Sequence, residues 1–365
     1  VLNFENEVKI LLQERVEEAY AALHLYDKHE DKTRWAKASV NYAEALCNLA
    51  DSEIEPQAFM NYQKAITAFE DALTVYRKAN HFPVWVNVQL KLVKTLRQYA
   101  SRLSGGQQAI ALLHHAQKTV SQIYSALYKE KNFIDCGLLK IEEGHLWQTF
   151  TQIDYHGDKA FHLHQAAKAF ANAIKLLRQS EQFFAWANAL TFYGFIQAER
   201  ALNAKQAQAE KLLMLARNSL ESAKKYFSSE QQYTKELYLV SLELARIYAQ
   251  QAPYSSKIKQ KALLLDAKNL LESLEEQEEE FEEDTPSKLH FQDILAQILS
   301  SLASLDNVSE KLRLRYLERS TLLRQRSLAL WTQQPDAKSL SLLIESLTEN
   351  LLDQAKIFNL KDFYF

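Results

Sequence analysis

Ala65, Phe69 and Ala72 fall on one face of a helix, and the same face returns at Ala116/Val120/Ile123, Ala166/Phe170/Ala173, Ala216/Leu220/Ala223 and Ala267/Leu271/Leu274. Residues at i, i+4 and i+7 make a single stripe on an α-helix, so each group marks one buried helical face. The first members stand 51, 50, 50 and 51 residues apart. A period that steady predicts stacked structural units rather than one globular core. Between these stripes lies a second kind of helix, with Trp35, Ala38, Ser39, Tyr42 and Leu46 on one side and a second tryptophan, Trp85, 50 residues further on. We call the tryptophan-led helices first-type and the alanine-striped helices second-type.

The pattern predicts fourteen helices, at 5–26, 34–50, 57–78, 85–102, 107–128, 133–152, 161–179, 184–201, 206–227, 233–250, 256–280, 287–305, 309–331 and 337–358, with a short aromatic tail at 359–365. Grouped in pairs they give seven units, 5–50, 57–103, 107–155, 160–203, 206–251, 256–305 and 309–358, within one all-α repeat domain over 1–365. The chain opens on a second-type helix without its first-type partner, and on Val1 rather than Met.

Composition agrees with helices. Six glycines and five prolines in 365 residues are few, so long helices joined by short turns are favoured over sheets. The formal charge of −3 gives no electrostatic footprint for nucleic acid or an anionic membrane, and neither is expected as a partner. Cys47 and Cys136 are too few and too far apart for a disulfide framework or a zinc site, and read as free thiols in a reducing compartment. No apolar run approaches the ~20 residues that span a bilayer. A soluble, cytoplasmic chain is expected.

The first-type pattern of Trp35, Ala38, Ser39 and Tyr42, repeated at Trp186, Ala189, Leu190 and Tyr193, resembles the tetratricopeptide repeat, as does the small-x-x-x-aromatic-x-x-small stripe of the second helix. The likeness is good over Trp35 to Ala72 and Ala166 to Tyr193, and weakens beyond Leu274. It implies an α-solenoid of about seven antiparallel helix pairs, a right-handed superhelix with first-type helices along its concave side. It departs from the family in period, about 50 residues against the family's 34, so each helix gains about two turns. Long-helix variants of this kind occur in bacterial regulators, often joined to a nucleotide-dependent switch or a caspase-like peptidase.

Positions two, five, six and nine after the tryptophan project into the groove in that family. Here they place Lys37, Val40, Asn41 and Glu44, then Asn87, Leu90, Lys91 and Lys94, then Lys140 and Gly144, then Asn188, Thr191, Phe192 and Phe195 on a concave surface. The lysine and asparagine that clamp a terminal carboxylate in chaperone-binding relatives are not reproduced in register. A mixed apolar and basic groove would suit an amphipathic helix or an extended peptide of a partner protein.

Signs of chemistry are sparse. There is no phosphate-binding glycine loop, no His-Glu-x-x-His, no Cys-x-x-Cys and no Gly-x-Ser-x-Gly, so no enzyme, cofactor or metal is expected. His156, His162 and His164, with Asp154 and Asp158, are the densest set of potential metal ligands, and they also read as an ordinary polar turn. Cys136 and His145 lie nine residues apart on one helix, about 13 Å at 1.5 Å per residue, too far to act as a thiol and its base. Eight of the ten residues from Glu275 to Asp284 are acidic; they read either as a solvated helix end, partly neutralised by Arg324 and Arg326, or as a docking site for a basic partner. The leading expectation is a protein–protein interaction scaffold. The competing one is the sensor or regulatory part of a larger signalling or defence enzyme.

Overall fold

The protein is described here from a computed structural model, over residues 2–78, 80–103, 105–154, 157–178, 180–230, 232–275, 285–331, 348, 350 and 351. The fold is an all-α solenoid, and among the described residues there is no β-strand. The chain divides into two compact units, Val1–Ala189 and Leu190–Phe365. The expected helix at 337–358 lies almost wholly outside the described residues, and the tail 359–365 and the acidic run after Glu275 wholly so.

The first unit holds α1 (Leu2–His24), α2 (Lys32–Ser52), α3 (Gln57–Val75), α4 (Phe82–Arg102), α5 (Gln107–Lys129), α6 (Phe133–Ile153), α7 (Lys159–Leu177) and the start of α8 (Phe183–Leu202). The second holds the rest of α8, then α9 (Gln206–Phe227), α10 (Thr234–Gln251), a 3₁₀ turn at Ala252–Tyr254, α11 (Lys257–Glu275), α12 (Thr285–Ala303) and α13 (Glu310–Trp331). Even-numbered helices are first-type and odd-numbered ones second-type. From α1 to α7 each packs on its neighbours in sequence, as do α9 to α13, and the first-type pairs α4 with α6 and α10 with α12 also touch.

The repeated stripe is the core. All fifteen residues from Ala65/Phe69/Ala72 to Ala267/Leu271/Leu274 are buried. What each bulky member meets is visible where the facing residue is glycine. A Cβ on Gly144 would lie 2.5 Å from Cζ of Phe170, and one on Gly194 would lie 2.8 Å from Cγ of Leu220. The matching places in the first two repeats are Ala43 and Val93, both wholly buried. Each stands 26 or 27 residues before its own stripe residue, Phe69 or Val120, so bulk on one helix is set against smallness on the other to keep the packing dense.

Turns follow from local chemistry. Oδ1 of Asn132 accepts from the amide of Asp135 at 3.2 Å and Oδ1 of Asp158 from that of Phe161 at 3.0 Å, capping the starts of α6 and α7. Such caps satisfy amides that the helix itself leaves unpaired. Gly106 has φ 90°, a left-handed value that glycine adopts freely, and it opens α5.

In the first unit Tyr62 stacks on Tyr99 with centroids 5.6 Å apart, tying α3 to α4; Gln63 and Gln108 both donate to the Tyr99 hydroxyl, at 3.0 and 3.2 Å. In the second, one cluster joins α10, α11 and α12 through Leu242, Leu263, Ala267, Leu271, Phe291 and Leu299.

Candidate functional site

Helix α2 has two working faces. Lys37, Asn41 and Glu44 lie about 200° around the helix axis from Trp35, Ser39 and Tyr42, because two residues turn the helix by that angle. The first set is the polar face expected to bind a partner. The second set forms the floor of an apolar groove.

On the polar face Lys37, Asn41, Asn87 and Lys94 are exposed. Lys91 is half-buried and ion-paired with Glu44, which joins α4 to α2. The Thr95 hydroxyl and the Cys47 thiol lie 3.2 Å apart in the same seam, and burial pushes that thiol up to about 11. One step on, Arg97 reaches Glu142 of α6 at 3.6 Å. The polar row is therefore stitched across its helices, with Lys91 joining α4 to α2 through Glu44.

From the third repeat on, the expected set divides. The first two periods sum to 101 residues rather than 100, since Gly144 answers to Ala43. Lys140 then answers to Ser39, a floor position, and its Nζ sits 4.1 Å over the Tyr124 ring of α5 while pairing with Glu143. Gly144 faces Phe170 rather than solvent. In the first unit Asn188 is half-exposed on α8. In the second, Thr191 is buried, as Val40 is, and so belongs to the packing; Phe195 is half-exposed with its ring 5.8 Å from Phe192.

The groove floored by Trp35, Ser39 and Tyr42 is walled by Val16, Tyr20 and Leu23 of α1 and by Met60, Gln63 and Thr67 of α3, and encloses about 740 Å³. It exists because α1 packs on α2 without burying any of residues 7–24 fully, whereas α3 buries seven of its own. Tyr20 and Tyr42 meet with centroids 5.4 Å apart, and burial followed by the Tyr20 hydroxyl raises the Tyr42 hydroxyl above its ordinary value. Tyr20 and Met60 are each about half exposed. At one end Lys28 lies 4.5 Å over the Trp35 ring and pairs with Asp71 at 3.1 Å. One repeat on, the equivalent space between α3 and α5 is smaller, about 260 Å³, and its lining is Glu70, Thr74, Gln89, His115, Thr119 and Gln122 with two leucines.

His162 is buried among Trp147, Phe150 and Phe161, with Nε2 3.8 Å from Asp154; His156 lies outside the described residues. Among the described residues no three of His, Cys, Asp and Glu converge to hold a metal ion. Glu275 is paired by Arg319 at 2.7 Å, and the same guanidinium holds Glu272; Arg324 donates to the Ser300 hydroxyl at 3.2 Å, and the acidic residues after Glu275 that it was expected to neutralise lie outside the described residues. No helix among the described residues is long and apolar enough to cross a membrane.

No protein-family model matches the chain. No curated protein matches it at a significant level. Among solved structures, a "circular tandem repeat protein with novel repeat topology and enhanced subunit contact surfaces" aligns over 97% of this chain and 98% of its own, at 14% identity and a TM-score of 0.35. A likeness that loose says nothing about a site.

Proposed function

We propose that this chain is a long-helix tetratricopeptide-like scaffold that works by binding, and that it seats an amphipathic helix of a partner protein in the groove between α1 and α3. The observation that carries this reading is the groove itself: Val16, Tyr20, Leu23, Trp35, Tyr42 and Met60 line about 740 Å³ of space, where the equivalent space of the next repeat is about 260 Å³ and mostly polar-lined. A helix laying an apolar face there would bury side chains that now meet water, and anchors spaced i, i+4, i+7 would run along the trough. The polar rim of Glu17, Gln63 and Lys64 would fix its register. Two unpaired thiols suit the cytoplasm.

The test is affinity capture from an extract of the source cells with three baits: wild type, Met60→Asp, and the polar-face double variant Lys37→Glu/Lys94→Glu. Loss of the captured protein with Met60→Asp alone supports the groove. Loss with the polar-face variant alone moves the site to the polar row of α2 and α4. Equal capture by all three refutes both.

A further inference from the structure

In the first unit α6 and α7 run antiparallel: Gly137, near the start of α6, meets Leu177 at the end of α7, and Trp147 meets Phe161 near the start of α7. Turns from a second-type to a first-type helix therefore gather at one end of the unit, and turns of the opposite kind at the other. Tyr76 shows the same at α3, its hydroxyl donating to the carbonyl of Thr33 beside the start of α2 at 3.3 Å.

The two ends differ in a way the whole-chain charge conceals. At the first end large apolar side chains face water at the starts of three successive first-type helices. Phe133 and Ile134 stand 50 residues before Phe183 and Phe184, and Val84 lies on the corresponding first turn of α4; each is 37–53% exposed. Tyr128 adds to the row, its ring 6.0 Å from that of Phe133. The cap position of α6 is the polar Asn132, as helix starts favour, and the apolar pair follows directly after it. The exposed cations of the same end are Arg77, Lys78, Lys129, Lys131 and Arg178, against the exposed acids Glu130 and Glu181; Asp135 is half-buried and its carboxylate accepts from Asn132 at 2.5 Å. At the other end the turns 53–56, 103–106 and 154–158 carry Glu53, Glu55, Asp154 and Asp158, with Arg102 and Lys159 as the flanking cations, and the large apolar side chains exposed there are Ile54 and Phe161, which do not recur at a fixed interval. The α1–α2 turn carries Asp27, Glu30 and Asp31 beside Lys28, so the basic, aromatic character begins at α4.

We propose that this end of the first unit is a peripheral membrane edge that takes the surface of an anionic phospholipid bilayer. Phe133, Ile134, Phe183 and Phe184 enter the headgroup layer, and the flanking lysines and arginines meet the lipid phosphates. The row sits on the tips of turns and helix starts, a ridge along which α4 and α6 are in contact at the roughly 8–10 Å spacing of packed helices. A ridge of that kind suits a plane, whereas a peptide is gripped by a groove. Aromatic and aliphatic insertion combined with basic residues close to the surface is the combination that holds a protein on an anionic leaflet without spanning it.

The experiment is co-sedimentation of the full chain with vesicles of phosphatidylcholine alone and of phosphatidylcholine doped with phosphatidylserine. Wild type is expected to sediment with the doped vesicles, weakly with the neutral ones, and to be released by salt. Phe133→Ser/Phe183→Ser and Lys129→Glu/Lys131→Glu should each lower partitioning by tenfold or more, at about fivefold per basic residue, with helicity unchanged. Lys159→Glu, at the opposite end, should leave it unaltered. The inference is overturned if wild type stays in solution with the doped vesicles, including the case where it binds an acidic peptide instead. It is also overturned if both edge variants bind as wild type does, or if Lys159→Glu weakens binding as much as they do.

Discussion

Gly144→Ala sets two effects of opposite sign against each other. In a helix interior alanine is favoured over glycine by about 1 kcal/mol. Here, however, the new Cβ would stand 2.5, 2.6 and 2.7 Å from three carbons of the Phe170 ring. That ring is wholly buried and meets the His145 ring edge-on at 5.3 Å, so it has little room to swing away. Overpacking a dense core costs ~1–3 kcal/mol, and the structure puts this case at the upper end because the opposing atoms belong to a rigid ring. The net expectation is destabilisation by about 1–2 kcal/mol. Phe170→Ala alone should cost ~3–5 kcal/mol. In Gly144→Ala/Phe170→Ala the clash is gone and only the helix gain remains, so the double variant should be more stable than the sum of the singles by about 1–3 kcal/mol. Hydrogen exchange of the α6 and α7 amides under native conditions reads this locally, without requiring both units to unfold together. A Gly144→Ala protein whose α6 amides are protected more strongly than in wild type would refute the packing derived for this pair.

Other outcomes follow from the same contacts. Lys91→Met should cost less than about 1 kcal/mol in a denaturant titration, because Lys91 and Glu44 both keep more than a third of their side-chain surface in water and such pairs contribute little. Burial pulls the Glu243 carboxyl up, but the His290 and Arg246 contacts outweigh it and leave it below its ordinary value of 4.5. Its stabilising contribution is therefore full above pH 4.5 and lost as pH falls through the lowered value; the melting-temperature gap between wild type and Glu243→Gln should close on acidification, and a constant gap would count against the interaction. With its thiol pushed up to about 11, Cys47 should resist iodoacetamide at neutral pH in the folded protein and react on unfolding, as mass spectrometry of the alkylated chain would show.

The buried stripe was legible because a face of Ala, Phe and Ala recurs at a fixed interval, and every predicted member proved to be core. The exposure of Lys37, Asn41, Asn87 and Lys94 was legible in the first two repeats for the same reason. It was lost in the third because one extra residue per two periods turns the helix by about 100°, carrying Lys140 onto the floor and Gly144 onto Phe170. Nothing in the pattern announced the groove, whose width is set by how loosely α1 lies on α2, a distance that hydrophobic periodicity does not encode. The basic aromatic edge was hidden differently: Glu53, Glu55, Asp154 and Asp158 at the other end offset it in the net charge.

A photo-crosslinking residue placed at position 60, on the wall of the groove, and separately at position 41, on the polar face of α2, tests the scaffold claim most directly. Irradiation in an extract of the source cells, followed by mass-spectrometric mapping of the joined peptide, should show one partner segment attached at position 60, with apolar residues at helical spacing, and none at position 41. Attachment at position 41 with none at 60, or the same scatter of proteins at both, would contradict it.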